Sequence, residues 1–68
     1  MKKKILVGVT GSISAYKSAD IASKLVSKGY DVYVVMTHNA AKFISPMVFE
    51  TLTKNKVYVD LFKDSDHT

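Results

Sequence analysis

Cysteine is absent from the chain, which excludes disulfide bonds and thiolate metal sites. Histidine occurs twice, at His38 and His67, too few and too far apart in sequence to suggest a metal site. No stretch approaches the ~20 apolar residues that a membrane span needs. Arginine is missing, and the only lysine run is Lys2-Lys3-Lys4. Aromatic residues do not interleave with it, as they would in a nucleic-acid-binding segment, so it reads as a solvated leader to the first strand. It does not open a signal peptide: the apolar run Ile5 to Val9 is shorter than such a signal requires, and Lys17 and Asp20 follow soon after. With one proline and three glycines there is no linker, and no internal repeat is visible. The expectation is a soluble cytoplasmic protein that binds neither nucleic acid nor membrane. Its 68 residues, with a net charge of +4, suffice for one small domain or for part of a larger one.

What is present is an alternation of apolar patterns. Lys4 to Val9 (KILVGV) is a nearly continuous apolar run, the form of a parallel strand buried on both faces. After Thr10-Gly11-Ser12 the period becomes helical, from about Ser14 to Lys28. Ala15, Ala19, Ala22, Leu25 and Val26 then fall on one face, with Lys17, Asp20, Lys24, Ser27 and Lys28 on the other. Gly29 is placed to end that helix. Asp31 to Met36 (DVYVVM) is a second β-branched run, which completes a β-α-β unit with a right-handed crossover. Asn39 to Ile44 allows a helical turn or two. Ser45-Pro46 is an N-cap with proline at the first helical position, opening a helix that ends near Lys54, with Met47, Phe49 and Leu52 as candidates for fastening it. Val57 to Asp60 is the third expected strand, and Leu61 to Thr68 a polar loop. The fold class is α/β: the N-terminal half (β-α-β-α-β) of a Rossmann-like or flavodoxin-like three-layer parallel sheet. The chain is expected to be a truncated domain, or one completed by other chains.

Open parallel sheets bind ligands beyond the carboxyl ends of their strands. Two segments reach that edge here, "VTGSIS" and "VMTHN". Amides at the start of the first helix favour an anion, Gly11 allows close backbone approach, and Ser12 and Ser14 add hydroxyls. An ordinary strand-to-helix turn, with Ser14 capping the helix, would use the same residue types. A nucleoside-triphosphate loop is rejected, because Tyr16 stands where its second glycine belongs and Lys17 falls on the solvent face. A dinucleotide fold wants G-x-G-x-x-G and an acidic residue closing the second strand; the glycines are Gly8 and Gly11, and the strand closes on Thr37. Hydroxyl-bearing loops flanking a helix N-terminus suit a single phosphate monoester better, such as that of flavin mononucleotide (FMN). His38 is a site residue or a solvated loop histidine. Tyr16 covers a ligand or packs in an interface. Phe43, Met47 and Phe49 wall an apolar pocket or belong to the core. Asp60, Asp64 and Asp66 form a solvated acidic turn.

The stretch "KILVGVTGSISAYKSADIASKLVSKGYDVYVVMT", followed by "AAKFISPMVFETLTKNKVYVDLF", resembles the N-terminal part of the flavin-containing cysteine decarboxylases, above all the phosphopantothenoylcysteine decarboxylases of coenzyme A biosynthesis. The resemblance covers about residues 3 to 62. It implies an FMN-binding flavoprotein assembled as a homo-oligomer, a trimer or a dodecamer of trimers, with the flavin at a subunit interface. Gly11, Ser12 and Ile13 match the family's first FMN loop, and Thr37 matches the hydroxyl residue of its second. The implied reaction oxidises the cysteine moiety of phosphopantothenoylcysteine at the flavin; the resulting thioaldehyde loses carbon dioxide, and the enethiol is then reduced to phosphopantetheine. The family's catalytic histidine stands in a His-hydrophobic-acidic context that His67 lacks. No catalytic residue is therefore expected within the chain, and the 68 residues alone are expected to be inactive. The alternatives left open are a related flavoprotein without this activity, resembling a flavin prenyltransferase or dipicolinate synthase B, and a nicotinamide- or nucleotide-binding Rossmann domain.

Overall fold

The computed structural model describes residues 2–11 and 13–60. The chain order is β1 (Lys4–Val9), α1 (Ile13–Ser27), β2 (Asp31–Thr37), a short 3-10 helix (Ala40–Lys42), α2 (Pro46–Thr53) and β3 (Tyr58–Asp60). The strands form one parallel sheet in the order β1-β2-β3. The register pairs Ile5 with Val32, Val7 with Val34, Val9 with Met36, and Met36 with Val59. These residues share one face of the sheet, and that face carries the core.

Local chemistry explains the element ends. α1 stops where Gly29 turns into the left-handed region at φ 92°. There the Tyr30 amide donates to Leu25 O and the Gly29 amide to Val26 O, so two terminal carbonyls of the helix are satisfied. α2 begins as expected: the Ser45 hydroxyl accepts from the Met47 amide at 3.2 Å, and Pro46 occupies the first turn, where its missing N–H costs nothing. The helix closes on Lys54, itself left-handed at φ 62°, whose amide donates to Glu50 O.

Both helices lie on the same face of the sheet. α1 packs on β1 and β2, α2 packs on β2, and the helices touch each other. This follows from handedness: two right-handed crossovers that advance the sheet in one direction put both helices on one side. Ala15 and Ala22 are fully buried, so α1 lies close to the strands, and Phe49 and Met36 supply the largest buried side chains. Two expectations are corrected here. Among the described residues β1 is buried on one face only, with Leu6 68% exposed, because neither helix reaches the face it shares with Gly8, Tyr33, Val35 and Tyr58. Met47 does not fasten α2: it is 69% exposed on the helix side away from the sheet, whereas Phe49 is fully buried. The expected loop from Leu61 to Thr68 lies outside the described residues.

Candidate functional site

β1 and β2 run in register to their carboxyl ends, so the turns leaving them start side by side. After β1 the backbone bends through Gly11 at φ 74°, a conformation that costs a side-chain-bearing residue about 1–2 kcal/mol. α1 starts at Ile13. The first amides of a helix have no carbonyl partner within it and point out of its N-terminal end, here toward the turn. No acidic residue occupies the first turn of α1, so no side-chain charge there opposes an anion. Ser12 lies outside the described residues.

At the end of β2 the half-buried Thr37 stands one residue beyond the Val9–Met36 pair. Its Oγ1 accepts a hydrogen bond from the Ala40 amide at 3.1 Å, which opens the 3-10 helix. Because this oxygen accepts, its own hydrogen is left to donate elsewhere. Gly11, Ile13 and Thr37 are thus placed at one edge of the sheet. The Thr37–Ala40 bond was not foreseen, although a threonine three residues ahead of a turn is a capping pattern.

Other residues of interest fall in different places. Tyr16 is 62% exposed, and its hydroxyl donates to the Phe43 carbonyl at 3.2 Å, a contact that sequence spacing does not reveal. Lys17 is exposed, as the helical period requires. His38 is half-buried beside Thr37. Phe43, Met47 and Phe49 do not form one wall, since Phe49 belongs to the core while Phe43 and Met47 are exposed. His67, Asp64 and Asp66 lie outside the described residues, among which no cluster with metal-ligand composition occurs.

The opposite edge, where the strands begin, holds a different polar group. Asn55 donates through Nδ2 to Asp31 Oδ1 at 2.9 Å and to the Val32 carbonyl at 2.7 Å. The Asn55 bond, helped by Tyr33, Lys4 and Lys2, holds the Asp31 carboxyl below its ordinary value against a smaller opposing effect of burial. Glu50 accepts from the Val57 amide at 3.1 Å. An open cavity of about 320 Å³ lies here, lined by Glu50, Lys54, Asn55 and Lys56. Lys2, Lys3, Lys4 and Lys28 belong to the same edge by topology. Cationic charge and a cavity therefore favour this edge for an anion, whereas directed donors favour the other. Exposed lysines hold an anion loosely, because long side chains lose entropy when fixed. The donors at the Gly11–Thr37 edge, backbone amides and one hydroxyl with a left-handed glycine between them, fit a phosphate monoester.

The chain is also similar to known proteins. The family model described as Flavoprotein matches residues 1–68. The coenzyme A biosynthesis bifunctional protein CoaBC of Borreliella burgdorferi is 52% identical over 65 residues, covering 96% of this chain and 16% of that protein. A Streptococcus mutans protein named "Probable phosphopantothenoylcysteine decarboxylase" is 48% identical over 66 residues, covering 97% of this chain and 37% of that one. Among solved structures, the cypemycin decarboxylase CypD superposes with a TM-score of 0.76 at 32% identity, covering 93% of this chain and 37% of that one. The chain thus spans between about a sixth and about two fifths of the length of these relatives.

Proposed function

The chain belongs to the Flavoprotein family, and from that premise we propose that the edge formed by Gly11, Ser12, Ile13 and Thr37 holds the phosphate of FMN. The observation that carries this reading is the juxtaposition of the left-handed turn at Gly11 and the opening of α1 with the Thr37 hydroxyl, across the paired ends of β1 and β2. Gly11 lets the turn bring its backbone close to the phosphate. The first amides of α1 donate to it, and the helix dipole adds a partial positive charge worth about 0.3–1 kcal/mol at an exposed site. Thr37 donates its free hydrogen from the second loop. With Thr37 where a nicotinamide fold would place a ribose-binding carboxylate, the edge suits a monoester better than a dinucleotide.

The reading extends to the whole protein's activity. Residues 1–68 are the phosphate-holding part of an FMN-dependent phosphopantothenoylcysteine decarboxylase of coenzyme A biosynthesis, which works as a homo-oligomer on that small-molecule substrate. Bound flavin supplies the electron acceptor for oxidising the substrate's cysteine moiety, which makes loss of carbon dioxide easy. This chain's own contribution is to anchor the cofactor at its phosphate, so that the ring is held in place by an end that does not react. No helix among the described residues is long and apolar enough to cross a membrane.

A visible spectrum tests the proposal. The purified full chain, passed through gel filtration after incubation with FMN, is expected to carry flavin absorbance in the protein peak. A colourless protein that binds NADP instead overturns it.

A further inference from the structure

We propose that Tyr16 is a positioning residue that braces the two phosphate-side loops against each other; this rests on the FMN reading above. The loops leave adjacent strands and are joined below by the β1–β2 ladder, which ends at Val9 and Met36. Above the ladder each goes its own way: the first turns through Gly11 into α1, the second runs from Thr37 through the 3-10 helix to Phe43. The bond from the Tyr16 hydroxyl to the Phe43 carbonyl, at 3.2 Å, spans 27 residues and ties the first turn of α1 to the far end of the second loop. Thr37 fixes the near end of that loop through the Ala40 amide, and the Phe43 and Ile44 amides both donate to the Ala40 carbonyl. The second loop is therefore pinned at Thr37 and at Phe43, and only the second pin connects it to the helix whose amides face the phosphate.

A phosphate held from two sides needs a fixed gap between its donors, because a hydrogen bond weakens steeply once its distance or angle departs from the ideal. The Tyr16 ring itself is mostly exposed, so its packing contributes little to the core. What the hydroxyl adds is the distance between the Thr37 loop and α1. The brace is compatible with Tyr16 also covering a ligand or packing in an interface, since its ring stays 62% exposed.

Tyr16→Phe removes the hydroxyl and leaves the ring. Two measurements on the full chain read the consequence. In flavin-free protein, amide hydrogen exchange at Lys42, Phe43 and Ile44 is expected to quicken about three- to tenfold, the range that loss of one hydrogen bond of ordinary net strength gives. In titrations followed by flavin fluorescence, FMN affinity is expected to fall by a similar factor while riboflavin, which lacks the phosphate, keeps its wild-type affinity. Wild-type FMN affinity and unchanged exchange in the variant overturn the brace alone. Equal losses for FMN and riboflavin also overturn it, since they indicate a general structural role. A wild-type chain that binds no FMN overturns both the brace and the reading beneath it.

Discussion

Gly11 and Asp31 sit at opposite edges of the sheet, and charge acts on them in opposite ways. At Gly11 a negative side chain would meet the phosphate. Gly11→Asp is expected to abolish flavin retention. Gly11→Asn is its control, since asparagine tolerates the left-handed backbone comparably and has the same shape without the charge. The aspartate variant should bind FMN at least about tenfold more weakly than the asparagine variant, because like charges in contact near a protein surface repel by several kcal/mol; equilibrium dialysis measures the difference. At Asp31 the negative charge is welcomed by Asn55, Tyr33, Lys4 and Lys2. A carboxylate whose native pKa lies below its unfolded value contributes stability above the unfolded value and loses it as pH falls through the native one. The stability gap between wild type and Asp31→Asn is therefore expected to be constant at neutral pH and to shrink as pH drops below about 3.8, the ordinary value for this group. Urea denaturation at a series of pH values checks it. None of the Asp31–Asn55 arrangement is readable from the sequence, because its partners stand 23 and 24 residues apart and meet only once α2 has packed.

The helices differ in how plainly their sequences announce them. α1 was legible because its alanines and lysines separate cleanly at the helical period, and Ala15 and Ala22 are buried where that period places them. Ser18, also buried, was not foreseen on that face, since serine carries no apolar signal. α2 was legible at its start, from Ser45-Pro46, and less so in its facing. With Met47, Val48, Phe49 and Leu52 all apolar, a helix of eight residues has too few polar positions to show which side turns inward. The structure gives the core position to Phe49. Phe49→Ala is accordingly expected to cost about 3–5 kcal/mol, the usual range for emptying a buried aromatic site, enough to unfold a marginally stable chain. Met47→Ala should stay within about 0.5 kcal/mol, as exposed substitutions do. Thermal or urea unfolding of the two variants tests the assignment, and similar costs for both would place α2 in the wrong rotation.

At the scale of the whole molecule, the described residues form a parallel sheet covered on one face. Leu6, Val35 and Tyr58 belong to the uncovered face, and the apolar character of Leu6 explains why β1 reads in sequence as a strand buried on both sides. The residue pattern carries the three-layer character of the fold class, while the described residues build two of the layers. The candidate site was legible to the same degree. The turn, the helix start and Thr37 can be picked out by residue type and order, but the Tyr16–Phe43 bond joins residues 27 apart and is not readable from spacing. The two edges of the sheet offer different candidates for an anion, the opening of α1 with the Thr37 hydroxyl at one and a cavity beside Lys54 and Lys56 at the other. Amide chemical-shift mapping of the isotope-labelled chain during an FMN titration distinguishes the two most directly. Saturable shifts centred on Gly11, Ile13 and Thr37, with Lys54, Asn55 and Lys56 undisturbed, are the expected result; shifts centred on Lys54 to Lys56, with Gly11 and Thr37 unmoved, would contradict it.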